Sequence, residues 1–194
     1  MKRLVCAALA LAFFGLAAPS DSSAQANVFI GGGVTSPTAD FKDFGDGDGA
    51  NLGWMATGGV QMPVGDAGLA LGVRGFYGTN NHDYEGDKTN LYGGTALATF
   101  AFGEAGAVAP FIFGEIGYQA HSYKSTDFAS FEDTEWKPFI AGGAGLNFPL
   151  GGLSGFVVVG YNQGLGTEDF GADTGKTTYI TGAAGVNIPV GGGM

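Results

Sequence analysis

The sequence has few of the groups that thiol, imidazole or nucleic-acid chemistry needs. Its 194 residues include one cysteine and two histidines, and 8 Lys and Arg stand against 18 Asp and Glu. Cys6 falls in the leading segment described below, so the mature chain is expected to have no disulfide, no thiol chemistry and no cysteine metal site. A formal charge of −10 with no basic patch argues against nucleic acid as a partner. After residue 26 no stretch is long and apolar enough for a transmembrane helix, so any membrane crossing must be made by strands. Prolines number 7, whereas glycines number 38 without a collagen period, and Phe and Tyr are abundant.

The first 26 residues have the layout of a secretory signal peptide. Lys2 and Arg3 form a positive start, residues 4–18 are apolar, and 19–23 are small and polar. Ala24-Gln25-Ala26 fits the small-x-small rule for cleavage after Ala26, and Ser22-Ser23-Ala24 offers cleavage after Ala24. The segment carries Lys2, Arg3 and Asp21, a net +1, so its removal takes the charge from −10 to −11. Residues 27–194 are expected to form one domain.

Within that domain the acidic residues gather in four clusters. Asp40, Asp43, Asp46 and Asp48 form the first, and Asp83, Glu85 and Asp87 the second. Asp127, Glu132, Asp133 and Glu135 form the third; Glu168, Asp169 and Asp173 form the fourth. The stretches between them are nearly uncharged and alternate with period two. This pattern predicts eight strands, over 28–36, 52–63, 67–79, 88–102, 107–123, 134–149, 153–163 and 177–190. Connections alternate between long acidic loops and short turns at Pro63-Val64-Gly65-Asp66, Gly103-Glu104-Ala105-Gly106 and Leu150-Gly151-Gly152. Long loops on one end and short turns on the other is the layout of an outer-membrane barrel, with the loops outside the cell. A repeat supports the register: Gly59-Val60-Gln61-Met62-Pro63-Val64-Gly65 recurs from Gly145 and again from Gly185, each time at the end of an even strand. Proline there removes no ladder bond that the strand interior needs.

Alternation assigns faces. Leu69, Leu71, Val73 and Tyr77 share the outer side of the third strand, with Arg74 and Phe76 inside. Ile112, Ile116 and Tyr118 oppose Phe113, Glu115 and Gln119; Leu153, Val157, Val159 and Tyr161 oppose Phe156 and Asn162. In the last strand Ile180 and Ile188 oppose Thr181 and Asn187. The fourth strand does not resolve, because Leu91 and Leu97 fall opposite Tyr92, Phe100 and Phe102. An uncharged outer face is what lipid demands, since a charge at the midplane costs about 2–4 kcal/mol. Trp54, Tyr77, Tyr92, Tyr118, Trp136 and Tyr161 all lie at loop ends with outward parity, the place of an interfacial aromatic girdle. Phe102 and Phe148 are positioned for the opposite girdle.

The signal segment, Gly-rich strands and acidic loops resemble the small outer-membrane barrel family that includes the OmpA-like transmembrane domain and the OmpX-like proteins. The resemblance covers the whole mature chain. It implies an all-β, closed, antiparallel eight-stranded transmembrane barrel in the outer membrane, in contact with lipid and lipopolysaccharide and expected to be a monomer. Two departures stand out. No peptidoglycan-binding domain is expected beyond the eighth strand, and Pro189–Met194 lacks the aromatic ending usual in such barrels.

Arg74 and Glu115 are expected to meet inside, with only the fourth strand between them, as an ion pair that neutralises two otherwise costly buried charges. Lys137 is positioned to join them. Inward Phe76, Phe113, Phe139 and Phe156 fill an interior only wide enough for side chains, with inward Gly31, Gly33, Gly59, Gly143 and Gly145 giving the rings room. His121 and Ser122 face opposite sides of a strand and make no nucleophile–base dyad, and His82-Asp83 is expected in an exposed loop with nothing to fix its geometry. The loop from Asp43 to Gly49 hints at calcium but lacks the spacing of an EF-hand, so a solvated acidic loop is expected. No catalytic residue, cofactor or resident metal is expected. The leading reading is a scaffold whose four acidic loops meet surface ligands. The alternatives are a narrow porin-like channel gated by Arg74–Glu115 and a lipid-acting barrel enzyme.

Overall fold

The computed structural model describes residues 25–43, 49–83, 86–103, 107–124, 132–170 and 173–190. Residues 1–24, most of the expected signal segment, lie outside these residues, as do 44–48 of the Asp43–Gly49 loop.

Ten strands form. They are β1 Ala26–Thr38, β2 Ala50–Pro63, β3 Leu69–His82, β4 Lys88–Ala101, β5 Ala109–Lys124, β6 Glu132–Leu150, β7 Leu153–Gly164, β8 Glu168–Phe170, β9 Asp173–Gly175 and β10 Thr178–Val190. Eight of them, β1–β7 and β10, close an antiparallel barrel in which β10 returns to β1 and Gly31 sits opposite Gly185. Closure leaves these strands no unpaired edge. The short β8–β9 hairpin stands apart in the fourth acidic loop, where no strand is predicted from sequence. β3 and β6 also run further toward the loops than period-two alternation suggests, to His82 and from Glu132. The turns at the other end are tight. Leu150 pairs with Leu153 around Gly151-Gly152, and Gly151 has φ 67°, the positive value that two-residue hairpin turns need and glycine supplies freely.

The two faces are inverted relative to a soluble barrel. Ile116, Val159 and Ile30 are 63%, 61% and 59% exposed on the outside, whereas Thr35, Asn80, Gln119, Asn162 and Glu115 are buried inside. β4 resolves here: Leu91 and Leu97 point inward and join the two buried clusters. Because this strand is apolar on both faces, alternation alone could not orient it.

The repeat gains a physical meaning. Its first glycine is a slot for a phenylalanine of the neighbouring strand. A Cβ on Gly59 would lie 2.6 Å from the Phe29 ring, one on Gly145 2.6 Å from Phe111, and one on Gly185 2.5 Å from Phe156. Phe156 also covers Gly31, across the seam between β1 and β10. Real side-chain carbons do not approach so closely, and a backbone carbonyl lies nearer still in each case (Val73, Val157 and Ile30), so any larger residue must shift a neighbouring strand as well as a ring. Gly145→Leu is therefore expected to lose about 1–3 kcal/mol in urea unfolding of the refolded barrel, the usual cost of overpacking. Gly114→Leu, at an outward position with nothing within 4 Å of its Cβ, is expected to leave the midpoint near that of the unchanged protein.

Candidate functional site

The barrel interior divides into a packed loop-side half and a hollow turn-side half. Between β1 and β2 a single 3-10 turn, Ala39–Phe41, leans into the mouth. Ala39 has φ 50°, unique among the described non-glycine residues, a conformation costing an L-residue roughly 1–2 kcal/mol. Phe41 offsets that cost: it is fully buried, worth about 1.5–3 kcal/mol. Its ring meets His121 edge-on at 5.7 Å and Tyr179 at 6.4 Å.

Below Phe41 the filling continues without a break. Tyr179 donates its hydroxyl to Gln119 Oε1 at 2.8 Å and stacks on Phe139 at 6.5 Å, and Phe139 packs on Phe76 at 5.5 Å. Thr35 donates to Asn80 Oδ1 at 3.1 Å across the same layer. Toward the β3–β4 loop, His82 Nε2 lies 2.8 Å from Thr89 Oγ1, and Tyr123 donates to Asp87 Oδ2 at 2.6 Å. His82 thus does not sit in a free loop. It ends β3, is buried, and is held by Thr89 and the Tyr123 ring; Asp83 accepts from Asn51 Nδ2 at 2.7 Å. His121 and Ser122 are both buried, and as neighbours in β5 they have opposite parity. Among the described residues no three His, Cys, Asp or Glu gather as metal ligands.

At mid-height Arg74 Nη2 lies 2.7 Å from Glu115 Oε2, with side-chain exposures of 11% and 3%. Thr95 donates to the same carboxylate oxygen at 3.1 Å, and the Arg74 guanidinium lies 4.8 Å from the Phe76 ring centroid. Opposite charges thus neutralise each other within the wall. Lys137 does not join them: its Nζ turns to Glu135 Oε2 at 3.0 Å, nearer the loops where both charges keep some contact with solvent.

Toward the turns a cavity of about 110 Å³ opens beneath this pair. Phe29, Phe111, Phe113 and Phe156 form much of its wall. Gln61, Asn147 and Asn187, the third residues of the three repeats, face into it together with Thr99 of β4. Asn187 donates to Asn147 Oδ1 and Thr99 to Gln61 Oε1, each at a long 3.4 Å. These four residues are half-exposed, so the turn end of the cavity is open to solvent.

Outside, the aromatic residues form a connected row. Trp54 lies 5.8 Å from Tyr77, Tyr77 6.3 Å from Tyr92, and Tyr92 5.5 Å from Trp136. Tyr118 and Tyr161 are exposed at the same end of the barrel, and Phe102 is exposed at the other, against Phe100. Sequence reasoning missed Phe41 and Tyr179, one because it lies in an acidic loop and the other because a tyrosine at a strand end resembles a girdle residue. The third residue of each repeat is an amide, Gln61, Asn147 and Asn187, and only the closed barrel brings the three to one opening.

No protein-family model and no curated protein sequence matches the chain. Solved structures do. Neisserial surface protein A (NspA) is similar with a TM-score of 0.65 and 13% identity, over 84% of this chain and 96% of that one. The N-terminal β-barrel domain of Pseudomonas aeruginosa OprF is similar with a TM-score of 0.51 and 15% identity, over 86% and 100%. With its closed ring of strands and apolar exterior, the chain has the fold of the small eight-stranded outer-membrane β-barrels.

Proposed function

We propose that this protein is exported by residues 1–26, spans the outer membrane, and acts as an anchor that presents its four acidic loops as a surface-interaction scaffold. The observation that carries this reading is the filled loop-side half of the barrel. Phe41, Tyr179, Phe139 and Leu91 are fully buried there and fill the barrel core at that height. The inward polar and outward apolar faces support residence in lipid, and the row from Trp54 to Trp136, with Tyr118 and Tyr161, supports an interfacial girdle. Even strand number then puts the turns in the periplasm and the loops outside. There the acidic loops face lipopolysaccharide and surface ligands, and the barrel works as a monomer without catalysis.

A second reading, a narrow channel gated by Arg74 and Glu115, draws support from the cavity that ends on that pair. It requires the pair to part and the Phe41 plug to move as well. The first of two measurements tests both readings, and the second separates them. Protein from the outer-membrane fraction should change gel mobility on boiling in detergent, as closed barrels do. In planar bilayers it should be silent. Discrete small conductance altered by Arg74→Ala would favour the channel. A soluble periplasmic protein with no mobility shift would remove both readings.

A further inference from the structure

We infer that Lys88 and Lys124 clasp the phosphomonoester of a glycolipid headgroup on the outer surface of β4 and β5, just above the aromatic row, and that in the outer leaflet this lipid is lipopolysaccharide. The inference deepens the surface-anchor reading proposed above and rests on it for the lipid at that height. Its first support is a like-charge pair. Lys88 and Lys124 stand directly opposite each other in the β4–β5 register. No other like-charged residues are paired in this way among the described strands. Like charges directly opposed across a sheet are destabilising. The sequence has 8 basic residues against 18 acidic ones, so two lysines need not have met. An anion held between them turns the repulsion into attraction.

The second support is where the pair stands. Side chains alternate along a strand, so Lys88 shares the outer side of β4 with Tyr92, and Lys124 shares that of β5 with Tyr118. Tyr92 meets the Trp136 ring edge-on at 5.5 Å, and Tyr118 is exposed. Lys88 lies beyond Tyr92 toward the loops by roughly 13 Å along the strand. Strand tilt reduces that to a height of roughly 10 Å. The headgroup zone is roughly 5–8 Å deep, and a lysine stem reaches down toward it from above.

Charge selects the ligand. Asp87, next to Lys88 in sequence, is buried and accepts the Tyr123 hydroxyl at 2.6 Å. Glu132 stands opposite Lys124 in the β5–β6 register, so the formal charges of Lys88, Lys124 and Glu132 sum to +1. Lys88 itself is exposed. A phosphomonoester carries about −1.5 to −2 at pH 7 and three strong acceptor oxygens, enough for both ammonium groups. A phosphodiester has less charge and fewer free oxygens to share between them. Beneath the pair, the rings of Tyr92, Tyr118 and Trp136 suit the boundary between sugar and acyl chain.

The test uses the isotope-labelled mature chain refolded in phosphatidylcholine nanodiscs, with EDTA present to remove divalent bridges to the acidic loops. Diphosphoryl lipid A, its dephosphorylated form and phosphatidylglycerol are added at rising mole fraction while amide chemical shifts are followed. Lys88 and Lys124 report the site. Ser36 and Ile180, outward at the same end of β1 and β10, are the controls. Lipid A should shift the site amides saturably. Lys88→Gln should raise the midpoint about fivefold, and Lys88→Gln with Lys124→Gln about 25-fold, the effect of about one near-surface lysine each. Phosphatidylglycerol should bind more weakly than lipid A, and the dephosphorylated lipid should give no saturable shift. A second readout has opposite signs in the two bilayers. In phosphatidylcholine alone Lys88→Gln relieves the like-charge contact and should not lower the urea midpoint; with lipid A present it should lower it. Equal shifts at the controls, indifference to the double variant, or phosphatidylglycerol binding as tightly as lipid A would overturn the inference. Such a result in a barrel whose gel mobility changes on boiling leaves the anchor reading standing. A soluble protein without that change removes the anchor reading, and the lipid site with it.

Discussion

Arg74→Leu is expected to cost about 3–5 kcal/mol of barrel stability, because it leaves the Glu115 carboxylate buried with only Thr95 as partner. The loss should appear as a large fall in the urea midpoint of the refolded protein, followed by the fraction that keeps its unboiled gel mobility. The double variant Arg74→Leu, Glu115→Leu removes both charges and should recover most of that loss, since replacing a buried pair with apolar groups of similar volume is often neutral. Recovery in the double variant is the diagnostic result. A single variant that loses under about 1 kcal/mol would mean that water from the turn-side cavity solvates the carboxylate and that the pair is no strut.

Val157→Arg tests the opposite face. Val157 lies midway between Tyr161 and Leu153 on the outer side of β7, at the expected centre of the bilayer. Arginine there should destabilise the protein by about 2–4 kcal/mol in lipid vesicles. In an aqueous setting the same substitution on an exposed strand residue would fall within about 0.5 kcal/mol. A small effect in vesicles would mean that this surface does not face hydrocarbon, and the membrane reading would fail with it.

The eight barrel strands, and the facing of all of them except β4, were legible because period two is a direct imprint of the pleat, and because an uncharged outer row and a mixed inner row differ strongly in composition. Arg74 and Glu115 could be paired from sequence since both are charges on inward parity near the same height, with β4 alone between them. Legibility failed where local pattern and tertiary role part. Leu91 and Leu97 face inward because the core needs them, while the outer row of β4 is also apolar. Phe41 follows Ala39 and Asp40 in a charged loop, and only the closed barrel supplies the mouth it fills. Lys137 has the parity to reach the buried pair, but Glu135 on its own strand is nearer. The β8–β9 hairpin has no apolar alternation to announce it, because it stands apart from the barrel sheet.

The slot that Phe156 occupies has a consequence for assembly. Its ring, carried by β7, covers Gly185 of β10 and Gly31 of β1, which face each other across the joint where the chain's two ends meet. A joint misaligned by two residues in one direction would set Phe29 opposite Gly185, and two rings would compete for one space. A joint misaligned by one would turn β1's lipid-side row inward. The register of the closing joint is thus checked by a side chain that belongs to neither of the joining strands.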